Sequence, residues 1–184
     1  MKKSSLIIIG VIVVVLLYGL ATYNGLVSAN VGVDSQWAQV ETQYQRRFDL
    51  IPNLVESVKG IMKQEQTVFT AIADARSRYA GAATVDAKAQ AAGEVESALG
   101  RLLVITENYP ELKSSESVQG LMAELAGTEN RVSVERKRFN DSVASYNLKT
   151  MRFPSSVIAS LSGFHARAYF ESAAGSENAP KVSL

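Results

Sequence analysis

Leu6-Ile7-Ile8-Ile9-Gly10-Val11-Ile12-Val13-Val14-Val15-Leu16-Leu17-Tyr18-Gly19-Leu20-Ala21 is an apolar run inside a longer stretch without charge: no Asp, Glu, Lys or Arg stands between Lys3 and Asp34. Carried through Thr22 and Tyr23 as a helix rising about 1.5 Å per residue, it covers ~27 Å, roughly the hydrocarbon thickness of a bilayer. Ile and Val are modest helix formers in water, but in lipid every backbone group must be paired within the segment, so a helix is the available answer. Residues 6–23, with Leu6, Ile12, Leu16 and Leu20 along them, are therefore expected to span a membrane. Residues 1–5 form a short N-terminus and 24–33 a connector. Tyr18 and Tyr23 fall where interfacial aromatics belong.

Two lysines before an apolar run also begin a secretory signal, and Val27-Ser28-Ala29 has the small-residue pattern of a cleavage site, with Gly19-Leu20-Ala21 a weaker one. The run exceeds the usual signal core of about 7–15 residues, which favours a retained anchor. Lys2 and Lys3 precede the span and the next basic residue is Arg46. The positive-inside tendency then puts the N-terminus in the cytoplasm and the rest of the chain on the extracytoplasmic side.

The chain carries 19 basic and 18 acidic residues, two of the basic ones being Lys2 and Lys3. The region after the span is thus close to neutral, unlike a nucleic-acid binder with its basic stripe. There is no cysteine, so disulfides, thiolate metal sites and thiol nucleophiles are excluded. A single histidine, His165, rules out the paired Glu-x-x-His motif of di-iron bundles. HExxH, GxSxG, P-loop and GxGxxG patterns are absent. No catalytic residue, cofactor or metal site is assigned, and His165 reads as a surface or packing residue.

From Trp37 a heptad stripe runs through Val40, Tyr44, Arg47, Ile51, Leu54, Val58, Ile61, Glu65, Val68, Ile72, Ala75 and Tyr79, broken only by Arg47 and Glu65. Phe48, Val55, Met62 and Phe69 widen it to the broader face of a bundle helix. One helix is expected over 34–80, capped by Asp34 or Ser35 and closed by Gly81, with a kink at Pro52. A second is expected over 86–108, capped by Thr84 or Asp86, with a small-residue inner face of Ala87, Ala91, Val95 and Ala98 before Leu102 and Ile105. A third starts near Ser114–Glu116 and ends at Lys149 or Thr150. A short fourth occupies about 156–162 and stops at Gly163. The fold class is all-α: one N-terminal transmembrane helix, then an antiparallel helical bundle of three long helices plus a short fourth over 34–173. A flexible tail is expected over 174–184.

Polar residues interrupt the seams: Arg47, Glu65 and Arg76 on the first bundle helix, Thr128, Glu129, Glu135 and Arg136 on the third. Brought into one layer they would form buried ion pairs able to fix register or partner choice. As edge residues, long side chains would instead run their heads out to water. Arg47, Glu65, Arg76, Glu129 and Arg136 are the candidate polar seam for assembly.

Several motifs share one pattern: Tyr23-Asn24-Gly25-Leu26-Val27, Asn30-Val31, Tyr44-Gln45-Arg46-Arg47-Phe48-Asp49-Leu50-Ile51-Pro52-Asn53-Leu54-Val55 and Val58-Lys59-Gly60. Further on come Glu107-Asn108-Tyr109-Pro110, Thr128-Glu129-Asn130, Arg136-Lys137-Arg138-Phe139-Asn140, Tyr146-Asn147 and Phe153-Pro154. The chain resembles the bacterial LemA family over nearly its whole length. The resemblance implies a short N-terminus, one membrane span and an α-helical bundle domain, and supplies no established activity; the span is expected in the bacterial cytoplasmic (inner) membrane. Many members resemble Tyr-Ala-x-His-Glu after the Lys-Gly pair, where this chain has Ile61-Met62-Lys63-Gln64-Glu65, so a role resting on that histidine does not transfer. Family genes often neighbour a membrane metalloprotease of the HtpX type, which implies an envelope role. Descriptions of the family also often put the bundle in the cytoplasm, against the charge argument.

The leading expectation is a non-enzymatic scaffold in the bilayer, a homo-oligomer associating through span and bundle. An adaptor for a membrane protease or other envelope protein would need an exposed apolar patch, expected around Phe164, Tyr169 and Phe170. A signal-peptide-processed periplasmic bundle that binds a ligand would need an apolar cavity.

Overall fold

The computed structural model describes residues 3–170, in helices, the turns between them and an extended segment after the last helix. The elements are α1 (Lys3–Lys59), α2 (Gln66–Gly81), α3 (Val85–Thr106), α4 (Pro110–Lys113), α5 (Glu116–Met151) and α6 (Ser155–Leu161). The all-α class and the long apolar N-terminal helix agree with the sequence. The tail expected over 174–184 lies outside the described residues.

Two helix boundaries differ from expectation. The first bundle helix does not start at an Asp34 or Ser35 cap, because α1 is already helical from Lys3 and continues through 24–33. Leu26, Val33 and Val40 explain this: spaced by sevens, all three are buried, so the heptad stripe begins well before Trp37. The second difference is a break at 60–65, which splits the helix expected over 34–80 into α1 and α2. Gly60 follows the last helical residue, Met62 N–H donates to the Val58 carbonyl at 2.9 Å, and Glu65 N–H donates to that of Met62 at 3.1 Å. Met62 is fully buried in the turn. The loop is close to one heptad long, so the apolar phase survives the reversal of chain direction. Pro52 lies inside α1 on an exposed face, and the helix continues through it.

The described residues form two compact units, the first of residues 3–39 and 137–169, the second of 40–136 with Phe170. In the first, the later part of α1 runs antiparallel to the end of α5. Trp37 meets Phe139 edge-on at 5.3 Å between ring centroids. The segment after α6 is tied back by Asn147, which accepts from the Arg167 N–H at 2.8 Å and donates to its carbonyl at 2.9 Å. Arg167 in turn bonds Asn30 at 3.1 Å and pairs with Asp34 at 2.6 Å. Gly163 closes α6 at φ +76°, where the left-handed conformation favours glycine, and Phe164 N–H donates to the Ala159 carbonyl at 2.9 Å.

In the second unit, α2 and α3 form an antiparallel hairpin across residues 82–84. Arg78 pairs with Glu94 at 2.6 Å near the turn, and the Tyr109 hydroxyl donates to Glu65 at 3.5 Å at the far end. Thr84 caps α3 by accepting from the Ala87 N–H at 3.2 Å. The inner face of α3 is small, as expected, and includes Ala91, Ala92, Gly93, Val95 and Ala98, although Ala87 faces water.

Ala92 is fully buried, so Ala92→Leu forces a bulky side chain into packed helices and should cost about 1–3 kcal/mol. Ala87→Leu on the exposed face should leave the unfolding midpoint nearly unchanged. Denaturant unfolding followed by far-ultraviolet circular dichroism checks the pair.

Candidate functional site

Packing α3 this closely brings a carboxylate into the second unit's interior. Glu96 stands one residue beyond Val95, with Ala92, Gly93, Leu99 and Gly100 three and four positions away. Small neighbours leave room for its side chain to reach α1 and α5. Tyr44 and Arg47 of α1 and Glu129 and Arg136 of α5 meet it there.

The contacts form a closed network. Arg136 pairs with Glu96 and donates to the Tyr44 hydroxyl, from Nε at 2.8 Å. The Tyr44 hydroxyl lies 3.5 Å from Glu96 Oε1 and donates to it. Arg47 pairs with Glu129, and its Nη1 lies 3.9 Å from Glu96 Oε1. The Arg136 guanidinium also sits over two rings, 5.3 Å from the centre of Tyr44 and 4.8 Å from that of Phe170. Two guanidiniums face two carboxylates, so the layer is neutral when all four are ionised. Beneath it Tyr44, Phe48 and Tyr79 form an aromatic cluster, with Phe48 and Tyr79 edge-on at 4.6 Å. Lys88 of α3 pairs with Glu41 and lies 5.9 Å above the Tyr79 ring.

Of the expected seam, Arg47, Glu129 and Arg136 come together, within one chain. Glu65 and Arg76 do not join them: Glu65 accepts from Tyr109, and Arg76 is half-buried on α2. Water does not claim Arg47, which is only 7 % exposed, whereas Glu129 retains partial access to solvent. Sequence reading missed Glu96, Tyr44 as a hydrogen-bonding group, and the Glu41–Lys88 pair. The available signal is an acidic residue flanked by alanine and glycine at helical spacing.

Burial raises the Tyr44 phenol above its ordinary value of 10, with Arg136 opposing and Glu96 reinforcing the shift. Burial likewise raises Tyr79, reinforced by Glu41, and Tyr146 in the other unit. It also works to lower the Arg47 guanidinium, against the attraction of Glu96. Among the described residues, the buried Tyr79 hydroxyl and Arg47 Nε meet no hydrogen-bond partner.

Beside the network lies a cavity of about 240 Å³ lined by Leu54, Leu99, Leu103, Met122 and Leu125, with Arg47 and Glu129 at its edge. Pockets for small-molecule ligands usually occupy about 300–1,000 Å³. The charged pair at its edge is already engaged, so the cavity reads as a packing gap. Among the described residues, no three His, Asp or Glu side chains gather closely enough to hold a metal ion. The apolar patch expected at Phe164, Tyr169 and Phe170 is not presented: Phe164 packs on Tyr23 at 5.8 Å, Phe170 is buried under Arg136, and Tyr169 alone is exposed.

Glu96 serves two guanidiniums, so Glu96→Leu strands two partly buried charges and should destabilise the second unit by about 3–5 kcal/mol in denaturant unfolding. Tyr79→Phe removes an unpartnered hydroxyl and should be neutral or stabilising by up to about 1–3 kcal/mol. Tyr44→Phe should destabilise. Above pH 10 the unfolded chain releases tyrosine protons that the folded chain retains, so stability falls as pH rises. Absorbance at 295 nm should show Tyr44, Tyr79 and Tyr146 ionising only as the helical signal is lost.

Comparison with known proteins places this architecture. A LemA family model matches residues 36–184. The magnetosome protein MamQ of Magnetospirillum gryphiswaldense is 27% identical over 177 residues, covering 82% of this chain and 65% of that protein. The magnetosome protein MamQ 2 of Paramagnetospirillum magneticum is 25% identical over 178 residues, covering 83% and 65%, and MamQ 1 of the same organism gives the same figures. The chain thus spans about 65% of the length of these curated relatives. With the family pattern covering residues 36–184, the greater part of its sequence, the chain belongs to the LemA family.

Proposed function

We propose that this chain is a membrane-anchored, non-enzymatic helical-bundle protein that self-associates and acts as a scaffold or membrane-organising factor in the bacterial envelope. The reading places residues 6–23 of α1 across the inner membrane and the bundle on the extracytoplasmic side.

One observation carries the proposal. The residues of α1 from Leu6 to Tyr18 are exposed, whereas Leu26 and Val33 farther along the same helix are almost completely buried. Among the described residues this is the one helix long and apolar enough to cross a membrane. Each Leu, Ile or Val left in water forgoes about 1.5–3 kcal/mol of burial, so such a run needs lipid or other apolar surface around it. Leu26 and Val33 are held by tertiary packing in the first unit, so the anchor leaves folded protein as a directed helix. That arrangement suits a protein whose job is to order membrane or neighbours.

Arg47, Glu129 and Arg136 are paired inside the chain and Ala91 and Ala98 are buried, so association falls to the exposed anchor and bundle surfaces. Gly10 and Gly19 do not have GxxxG spacing, which points to side-chain packing between anchors. The alternative, an adaptor for a membrane protease or other envelope protein, loses the three-residue patch it was expected to use.

The test is a native mass spectrum of the chain extracted from membranes in mild detergent. The expected result is a defined multimer retaining Leu6–Leu20. A monomer at high concentration in several detergents refutes the scaffold, and a chain lacking the apolar run refutes the anchor. Alkaline carbonate washing should leave the full chain in the membrane pellet.

A further inference from the structure

The first unit carries a second exposed apolar surface, separate from the anchor in sequence. Met151 ends α5 at 73% exposure, Phe153 in the following turn is 80% exposed, and Leu161 at the end of α6 is 81% exposed. Val157, one turn before Leu161 on the same face, is also exposed, while Ala159 is buried and fixes the opposite face inward. A helix this short presenting Val157 and Leu161 to water has an unaccounted cost of burial forgone.

Its position indicates the surface that covers it. α5 runs antiparallel to α1, with Phe139 against Trp37, so its end lies toward the anchor end of that helix. Ile158 of α6 approaches Gly19: a Cβ there would sit 3.8 Å from its terminal methyl. Tyr23 meets Phe164 just beyond α6 at 5.8 Å. α6 is therefore packed beside residues 19–23, where the apolar run of α1 ends and its surface is still apolar, with Leu20 62% exposed. Exposed apolar side chains of α6 thus stand on an element packed beside the exposed end of the anchor.

Charge supplies the second argument. Between Asp141 and Glu171 the sequence contains no acidic residue, but it contains Lys149, Arg152 and Arg167. Arg167 is paired with Asp34, whereas Lys149 and Arg152 are exposed next to Met151 and Phe153. Exposed large apolar side chains flanked by cations, without anions, are the pattern of a segment lying in a bilayer interface.

We propose that the end of α5, the turn at Phe153 and α6 form an interfacial foot that lies on an anionic bilayer surface beside the anchor. Phe153, Val157 and Leu161 enter the acyl boundary, and Lys149 and Arg152 meet acidic headgroups. This rests on the reading that α1 spans the same membrane, and the experiment separates the two.

The chain has no cysteine, so single cysteines can be introduced cleanly at Phe153, Leu161, Ile12 and Lys137 and labelled with an environment-sensitive fluorophore. Lys137 lies about 21 Å before Met151 along α5 and serves as the aqueous reference. The full chain is reconstituted into vesicles of phosphatidylcholine with phosphatidylglycerol, with and without brominated acyl chains. The proposal expects blue-shifted emission and bromine quenching for Phe153→Cys, Leu161→Cys and Ile12→Cys, and neither for Lys137→Cys. Quenching at Ile12 with none at Phe153 and Leu161 overturns the foot and leaves the anchor standing. No quenching at Ile12 overturns both. Adding K149E and R152E to Leu161→Cys should reduce its quenching, and phosphatidylcholine alone should do the same. Quenching unaffected by either change overturns the role of anionic lipid.

Discussion

One carboxylate oxygen, Glu96 Oε1, is within reach of two guanidiniums and a phenol drawn from α1 and α5. The second unit's helix order depends on that convergence. α3 can bring Glu96 inward only because alanine and glycine surround it, and the close approach is worthwhile only because Arg47, Arg136 and Tyr44 are there to meet it. An apolar layer of the same volume would be as stable or more so. What it would lack is direction: apolar side chains tolerate a slipped helix, whereas a carboxylate must find its own partners. A network of this kind can fix register where the remaining seam is apolar and aromatic.

Much of the fold was readable because helices announce themselves by period. The exposed run Leu6–Leu20, the Thr84 cap, the Gly163 stop and the start of α5 each follow from a local rule that tertiary context did not override. The break after Lys59 was not readable from period alone. A loop of about one heptad with Met62 buried preserves the apolar phase, so a reversed chain and a continuous one give the same stripe. Gly60 was the cue that distinguishes them.

The candidate site was half legible. Arg47, Glu129 and Arg136 stood out as charges on an apolar seam, which is a violation with a definite meaning. Glu96 broke no visible rule, because a carboxylate beside alanines on a helix ordinarily faces water. Its role depends on how deeply α3 nests, a property of three helices together. Arg76 and Glu65 show the converse: the seam assignment that made them notable assumed one unbroken helix, whereas the turn at 60–65 takes Glu65 out of the helix, where it meets Tyr109, and puts Arg76 on the separate helix α2.

The continuity of α1 through residues 24–33 carries an evolutionary consequence. Leu26 and Val33 are locked into the first unit, and the helix leaves them toward Leu20 without an intervening swivel. Inserting or deleting one residue between Tyr23 and Leu26 would rotate everything on its lipid side by ~100° and shift it by about 1.5 Å. Substitutions among Leu, Ile and Val there are nearly free, because lipid reads hydrophobicity and not shape. Length is not free. In descendants of this chain the spacing should be preserved more strictly than the letters, and change, where it comes, should arrive in steps that restore the helical phase.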